Sequence, residues 1–374
     1  MHKYNGKNQS HIREINQNLV LELLKSKPLS CKEMADIVHL SNTALAKITQ
    51  ELKAYNILKI SKPPQKNDIG RRPIRLELND GLGYIAVINL DKSFVRLFDF
   101  AGNIKYELTL PYVLVYDAEQ LNNCLKLIKV FLKQNQINTL LAVTVITSGR
   151  TKPDGSFIYA LRYKNPQQIN LKKIFEEILQ APTLVKNDVS LALFSEYQNA
   201  EPKSSISVMM LYIDKGLGCA FTVGGKVIEG YRGFAGEVGL IKETSSGDIL
   251  DNILSVRGLE KMFSSIGKNI KIDEITQSFI KKESQTVKII EDYAQKLSAL
   301  IVDLLLVLDC QKVLINGSIR CLKEDFLDML RQQISKNRYL DAEILYSKEE
   351  DESSSKGGFL QAQDLVIKNI IKKS

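Results

Sequence analysis

Asn42, Thr43, Ala46, Lys47 and Gln50 fall on one side of a short segment whose other side is Leu45, Ile48 and Leu52. Short amides, hydroxyls and a cation at the start of a helix are the groups that reach base edges and phosphates when a helix lies in a major groove. The same face would also serve as a plain solvated surface. Further along, Gly70-Arg71-Arg72-Pro73 sets two guanidinium groups side by side between residues that keep the backbone extended. That suits a narrow, electronegative minor groove, although as a linker the run would simply be solvated. Metal chemistry has no comparable support. The three histidines all precede residue 40, and Cys31, Cys124, Cys219, Cys310 and Cys321 show no Cys-x-x-Cys spacing. They read as reduced core thiols, and no metal site or cofactor is expected.

Residues 1–80 supply the elements that would hold these groups. Ile12, Ile15, Leu19, Leu23 and Leu24 recur at helical spacing and define one apolar face, and Pro28 ends that helix. Ser30-Cys31-Lys32-Glu33 is a capping box that opens a second helix, with Met34, Ile37 and Val38 as its buried side. Ser41 caps the third helix, the one carrying Asn42, Thr43 and Lys47. Two short strands, Ile57 to Ile60 and Ile74 to Leu78, flank a loop with Lys62, Lys66 and the arginine pair. Three helices and a hairpin make a winged helix-turn-helix, assigned to residues 1–62, with a wing and linker over 63–78. Charge agrees with this division. Residues 1–80 hold 14 Lys+Arg against 8 Asp+Glu, and the remainder holds 37 against 35. A basic first fifth ahead of a balanced remainder is the mark of a nucleic-acid-binding module.

The whole chain of 374 residues, 44% hydrophobic and 25% charged, has the composition of a globular protein with two or three domains. With no run of eighteen apolar residues and a polar start, a cytoplasmic protein without membrane attachment is expected. Gly83 to Leu90, Phe94 to Asp99 and Ile104 to Leu110 read as three successive strands. Ser207 to Ile213, Cys219 to Val223 and Lys226 to Ile228 repeat the arrangement. Such duplication fits two α/β lobes around a cleft, an actin-like (ribonuclease H-like) architecture. A long apolar helical stripe over 287–308 leads into a strand, Lys312 to Ile315, that ends at Asn316-Gly317. Lys348 to Lys356 reads as an exposed loop and Leu360 to Ile371 as a closing helix.

Several ordered motifs together resemble the repressor branch of the ROK family of repressors and sugar kinases. They are Ile12-Arg13-Glu14-Ile15-Asn16, Leu29-Ser30, Leu40-Ser41, Gly70-Arg71-Arg72-Pro73, Lys186-Asn187-Asp188, Gly233-Phe234-Ala235-Gly236-Glu237-Val238-Gly239 and Val313-Leu314-Ile315-Asn316-Gly317. The resemblance implies a sugar-kinase fold behind the winged helix. Its first lobe is assigned to residues 79–186 with the C-terminal helix 357–374, and its second to 187–356. It also implies that Asp188 occupies the place of the kinase base, and that Asn187, Glu237 and Glu260 stand where family members bind sugar hydroxyls.

The departures from the family pattern carry equal weight. Asn89-Leu90-Asp91-Lys92-Ser93 lacks the glycines with which family kinases cradle phosphate, and Asp214-Lys215 opens the second phosphate loop where the family prefers Gly-Thr. The family zinc ligands are replaced by Leu240, Asp251, Ile253 and Gly258. The expectation is therefore a sugar-responsive DNA-binding regulator, a repressor of carbohydrate genes, with kinase activity lost and zinc absent. Operator DNA, a sugar or sugar-phosphate effector and a second copy, in a homodimer or homotetramer, are its expected partners. The alternatives are a sugar kinase with an accessory DNA-binding domain, and a regulator whose sensor has lost its small molecule.

Overall fold

The computed structural model describes residues 9–61, 73–111, 117–152, 154–159, 169–198, 207–348 and 352–372. Lys62, Lys66, Gly70, Arg71 and Arg72 of the wing lie outside the described residues.

The head begins with α1 (Gln9–Ser26), β1 (Leu29–Ser30), α2 (Cys31–Val38) and α3 (Asn42–Ala54). The short strands β2 (Leu58–Ile60) and β3 (Arg75–Leu78) follow. The capping box forms: the Ser30 hydroxyl accepts from the Glu33 amide, and the Glu33 carboxylate accepts from the Ser30 amide. Ser41 caps α3 by accepting from the Ala44 amide at 3.2 Å. The wing hairpin pairs antiparallel as expected, and β1 adds a third strand, in the order β1-β3-β2.

Two faces differ from the periodicity. In α1, Ile12, Ile15 and Leu19 are exposed, while Gln17, Val20, Leu21 and Leu24 are buried. The N-terminal half of this helix is fixed instead by polar contacts, with Arg13 and Gln17 both bonded to Glu51 of α3. In α2, Met34 and Ala35 are buried and Ile37 is exposed, because a two-turn helix packed between α1 and α3 covers only a narrow stripe.

Behind the head, β4 (Tyr84–Asn89), β5 (Phe94–Asp99) and β6 (Ile104–Thr109) precede α4 (Ala118–Gln134) and β7 (Leu140–Thr147). Next come β8 (Arg150–Thr151), β9 (Ser156–Tyr159), β10 (Ile169–Asn170), α5 (Leu171–Leu179) and β11 (Thr183–Asn187). The second half runs through α6 (Asp188–Gln198), β12 (Val208–Ile213), β13 (Leu217–Val223) and β14 (Lys226–Val227). Helices α7 (Leu250–Leu254), α8 (Val256–Ser264), α9 (Ile272–Ile280) and α10 (Ser284–Leu308) follow. The described part closes with β15 (Lys312–Asn316), α11 (Lys323–Ile334), β16 (Glu343–Tyr346) and α12 (Ser353–Lys372).

The strand orders are β11-β7-β4-β5-β6 and β14-β13-β12-β15-β16. In each sheet the first three strands by sequence form an antiparallel meander, and two parallel strands extend it from the meander's first strand. This internal repeat is the actin-like architecture that the duplicated sequence pattern suggested. Near-continuous apolar runs such as Leu140–Thr147 form the central strands, which helices cover on both faces.

The core of the head is continuous with that of the first sheet: Leu24, Leu45 and Leu52 join one cluster with Ile85, Phe98, Phe359 and Val366. Each fully buried side chain of this size contributes about 2 kcal/mol. Lys25 of α1 adds a polar tie, reaching Asp364 of α12 at 2.9 Å.

The expected exposed loop over Lys348 to Lys356 is corrected in part. Ser353, Ser354 and Ser355 are buried in the first turn of α12, where small side chains allow the helix close to its neighbours. No helix among the described residues is long and apolar enough to cross a membrane.

Candidate functional site

On the head, Leu45, Ile48 and Leu52 of α3 face the core, leaving Asn42, Thr43, Ala46, Lys47 and Gln50 exposed on the opposite side. The fold therefore presents outward the polar face read from the sequence. Ser41 is exposed beside it, its oxygen committed to the cap. Arg71 and Arg72 lie outside the described residues.

In the body, a small pocket forms where β11, β8, β13 and the 229–237 loop meet. Arg150, Thr151, Asn187, Ser190, Cys219, Glu229, Gly233, Ala235 and Glu237 line it. Asn187 ends β11, and its side-chain oxygen accepts from the amides of Val189 and Ser190, capping α6. Asp188 opens α6, and its carboxylate accepts from the Val189 amide at 2.9 Å. Glu237 is carried by a loop that Gly233 and Gly236 hold against the lobes, both at positive φ. A Cβ at Gly233 would meet the Thr151 carbonyl at 2.2 Å, and one at Gly236 the Cys219 carbonyl at 2.1 Å, so neither position accepts a side chain.

Asn187 and Glu237 thus line one pocket, with Asp188 adjoining Asn187 in the chain. Glu260 is not among the lining residues. On α8, its carboxylate accepts from Lys271 Nζ at 2.8 Å and from the Ile272 amide at 3.3 Å. That supplies one of the free amides at the start of α9 with an acceptor.

Arg150, Thr151, Ser190 and Glu229 of this pocket escaped the sequence reading, and Arg150 is the most heavily engaged of them. Arg150 follows the apolar strand β7, and its side chain, 5% exposed, forms an ion pair with Glu237 through the guanidinium. It also donates to the Gly233 carbonyl at 3.0 Å and lies 5.0 Å from the centre of the Phe234 ring. A lone cation three residues beyond an apolar run was the available signal. Two further cations lie nearby: Lys186 is paired with Glu229 at 2.5 Å, and the exposed Arg232 lies 5.8 Å from the centre of the Phe234 ring. Burial pushes the Cys219 thiol up to about 12, with Cys310 adding to the effect, so this pocket thiol stays protonated and inert.

Both phosphate-loop positions are internally bonded. Asn89 Oδ1 accepts from the amides of Asp91 and Lys92 at 3.0 and 2.8 Å, and the Asp91 carboxylate accepts from the Ser148 amide. Ser93 takes a left-handed conformation, φ 56°, without being glycine. In the second loop, Asp251 Oδ1 accepts from the Leu217 amide at 2.7 Å, and the Ser318 hydroxyl donates to Asp214. Amides that would bind an anion therefore already serve protein oxygens, two of them the carboxylates of Asp91 and Asp251.

The family's zinc does not fit the residues present. Leu240 is apolar, Gly258 has no donor, and the buried Asp251 carboxylate is shared between the Leu217 amide and Arg257 at 3.2 Å. Among the described residues no group of three or more His, Cys, Asp or Glu gathers as a metal site.

Comparison with known proteins agrees with the architecture. The chain is 24% identical over 361 residues to a xylose repressor of Caldicellulosiruptor bescii, covering 89% of this chain and 90% of the relative. Its structure superposes on a ROK family transcriptional regulator, a homologue of the E. coli Mlc protein, with a TM-score of 0.80 and 19% identity. That match covers 97% of this chain and all of the other. A ROK hexokinase from Thermus thermophilus matches 76% of this chain and 99% of its own length, with a TM-score of 0.62 and 16% identity. The family model described as "ROK family" matches residues 91–365, and on that match the chain belongs to the ROK family.

Proposed function

We propose that the protein is a sugar-responsive transcriptional repressor that binds operator DNA through α3 and senses its effector in the pocket between the lobes. The observation that carries this reading is the exposed polar face of α3, with Asn42, Thr43 and Lys47, on a compact head whose core is continuous with that of the body. The xylose repressor relative, aligned over 89% of this chain, supports it. Ser41, Asn42, Thr43 and Lys47 approach the major groove, and Arg71 and Arg72 the adjacent minor groove. A second copy supplies the other half-site, in a dimer or a tetramer.

Asn187 and Glu237 bind sugar hydroxyls, since amides and carboxylates make the paired, directed hydrogen bonds that polyols require. Asp188 stands beside them in the position of a lost kinase base, and Glu260 acts through the placement of α9. The internally bonded loops at Asn89 and Leu217 support loss of phosphoryl transfer. Effector binding opens or closes the lobes, and because the core runs unbroken into the head, this alters the spacing of two DNA-reading helices. Induction requires tighter effector binding in the DNA-incompetent state, since equal affinity shifts nothing.

The test combines two assays on the full chain. Fluorescence anisotropy with DNA from upstream of its own gene should show salt-sensitive binding that the right sugar releases. Incubation with ATP and a hexose panel should show no phosphorylated product. Clear turnover abolished by Asp188→Asn, with no DNA binding, would establish a kinase in place of a repressor.

A further inference from the structure

Where the head meets the body, α1, the turn between β5 and β6 and the first half of α12 enclose a groove with a cavity volume of about 800 Å³, the size of a small-molecule site. One face of α12 runs along it. Ser355, Phe359 and Gln363 follow one another at four-residue spacing and so stand in a row, with Leu360 beside them. Phe359 stacks on Phe98 of β5 with ring centres 4.9 Å apart, and Ile104 of β6, 44% exposed, extends the apolar wall.

The two ends of the row are polar and buried, each 1% exposed. Gln363 donates through Nε2 to the Phe100 carbonyl at 2.7 Å, which fixes the orientation of its amide and leaves Oε1 as an acceptor. Neither that oxygen nor the Ser355 hydroxyl finds a hydrogen-bond partner among the described residues. Buried polar groups in folded proteins are satisfied with few exceptions, so two orphans on side chains of one cavity wall point to a ligand. Eight residues of helix set the two ends about 12 Å apart, too far for one hydroxyl or amide to serve both.

The charges on the walls are already matched. Lys25 is held by Glu22 at 2.7 Å and Asp364 at 2.9 Å, and Arg96 by Glu107 at 2.5 Å and Glu352 at 3.0 Å. Lys356 is not free either. A charged ligand would have to break such pairs, whereas a neutral one leaves them whole.

We propose that this groove is a second small-molecule site, sharing no residue with the pocket between the lobes, for an elongated neutral molecule with an apolar, ring-bearing centre and a hydroxyl or amide at each end. Its centre lies on Phe359, Leu360 and Ile104. One end donates to Gln363 Oε1, and the other bonds the Ser355 hydroxyl. Because Lys25 belongs to the head and the other walls to the body, an occupant fastens the two together.

Isothermal titration calorimetry on the full chain tests this. The probe is biphenyl with a para hydroxyl on each ring, compared with biphenyl carrying only one, with hydroquinone, which is too short, and with the matching biphenyl dicarboxylate. The two-hydroxyl probe should bind about fivefold or more tightly than each comparison, the worth of a hydrogen bond to an otherwise orphaned group. Ser355→Ala should reduce it to the one-hydroxyl affinity while leaving Tm unchanged or higher, since the lost hydroxyl had no partner. Ala101→Trp, which fills the groove from the turn, should abolish binding. Hydrogen exchange should slow in both α1 and α12 when the probe is bound. Absence of binding, equal affinity for the one- and two-hydroxyl probes, or a Ser355→Ala variant with lower Tm and unchanged affinity overturns the proposal, and slowing confined to α12 overturns the fastening of the head. Release of operator DNA by a sugar is a separate readout that none of these results decides.

Discussion

Replacing Asp251 by alanine should destabilise the second lobe by about 2–3 kcal/mol, and replacing it by asparagine by less than about 1 kcal/mol. The difference follows from what each oxygen does. Asp251 Oδ1 accepts from the amide of Leu217, a buried residue, at 2.7 Å. Alanine leaves that donor unsatisfied, at about 1–3 kcal/mol, and loses a bond strengthened by charge. It also empties space beside Gly216 and Gly239, both packed against the carboxyl group. Asparagine keeps an acceptor in the same place and gives up only the pair with Arg257, whose side chain is 59% exposed and whose contribution is correspondingly small. In a domain of this size, 2–3 kcal/mol corresponds to a fall in Tm of about 4–10 °C. Differential scanning fluorimetry and urea unfolding of both variants measure it, and hydrogen exchange at the Leu217 amide localises it. Equal losses for the two variants, or a loss below about 1 kcal/mol for alanine, would refute the idea that this carboxylate staples the 214–218 loop.

Further outcomes are expected in the head and its attachment. Lys47→Ala should weaken operator binding about equally across sequences and reduce the salt dependence by about one counterion, read from anisotropy titrations at several salt concentrations. Ser30→Ala should cost about 1 kcal/mol through loss of the α2 cap, measured by urea unfolding. Glu33 is held below its ordinary value first by the Ser30 amide, with the Ser30 hydroxyl and Arg75 adding to the effect. Its stabilisation is therefore full at neutral pH and declines as the pH falls through its depressed value. The Tm advantage of the wild type over Glu33→Gln should accordingly shrink from about pH 5 downward. For Lys25, the lowering effect of burial is outweighed by Asp364 and Glu22, which leaves it firmly charged. A double-mutant cycle with Lys25→Met and Asp364→Asn should give a coupling of about 1 kcal/mol.

Much of this was legible in the sequence where the determinants are local. Ser30, Glu33 and Ser41 announce helix starts through bonds spanning three residues, and the repeated strand meanders announce the duplication. The inner face of α3 followed from its spacing alone. The apolar stripe of α1 did not, because Ile12, Ile15 and Leu19 are as regularly spaced as a core face, and only the packing of β3, α2 and α3 around the helix decides that Gln17, Val20 and Leu21 are covered instead. Glu260 could be placed by its spacing from the family motifs, but its partner Lys271 depends on how α8 and α9 fold back on each other. The sequence shows Arg150 as a lone cation after an apolar run but not its role, because its partner Glu237 is remote in the chain and only the meeting of β8 with the 229–237 loop brings the two charges together.

The tie between Lys25 and Asp364 has a consequence for how the chain acquires its working form as it is made. The head contains its own caps and can take shape early, yet Phe359, Leu360 and Val366 of α12, which complete the core it shares with the body, follow every other described strand and helix in synthesis. Until α12 docks, α3 has a shape but no fixed bearing relative to the pocket. On the proposed function, a nascent chain would thus carry its reading helix before it is able to obey an effector.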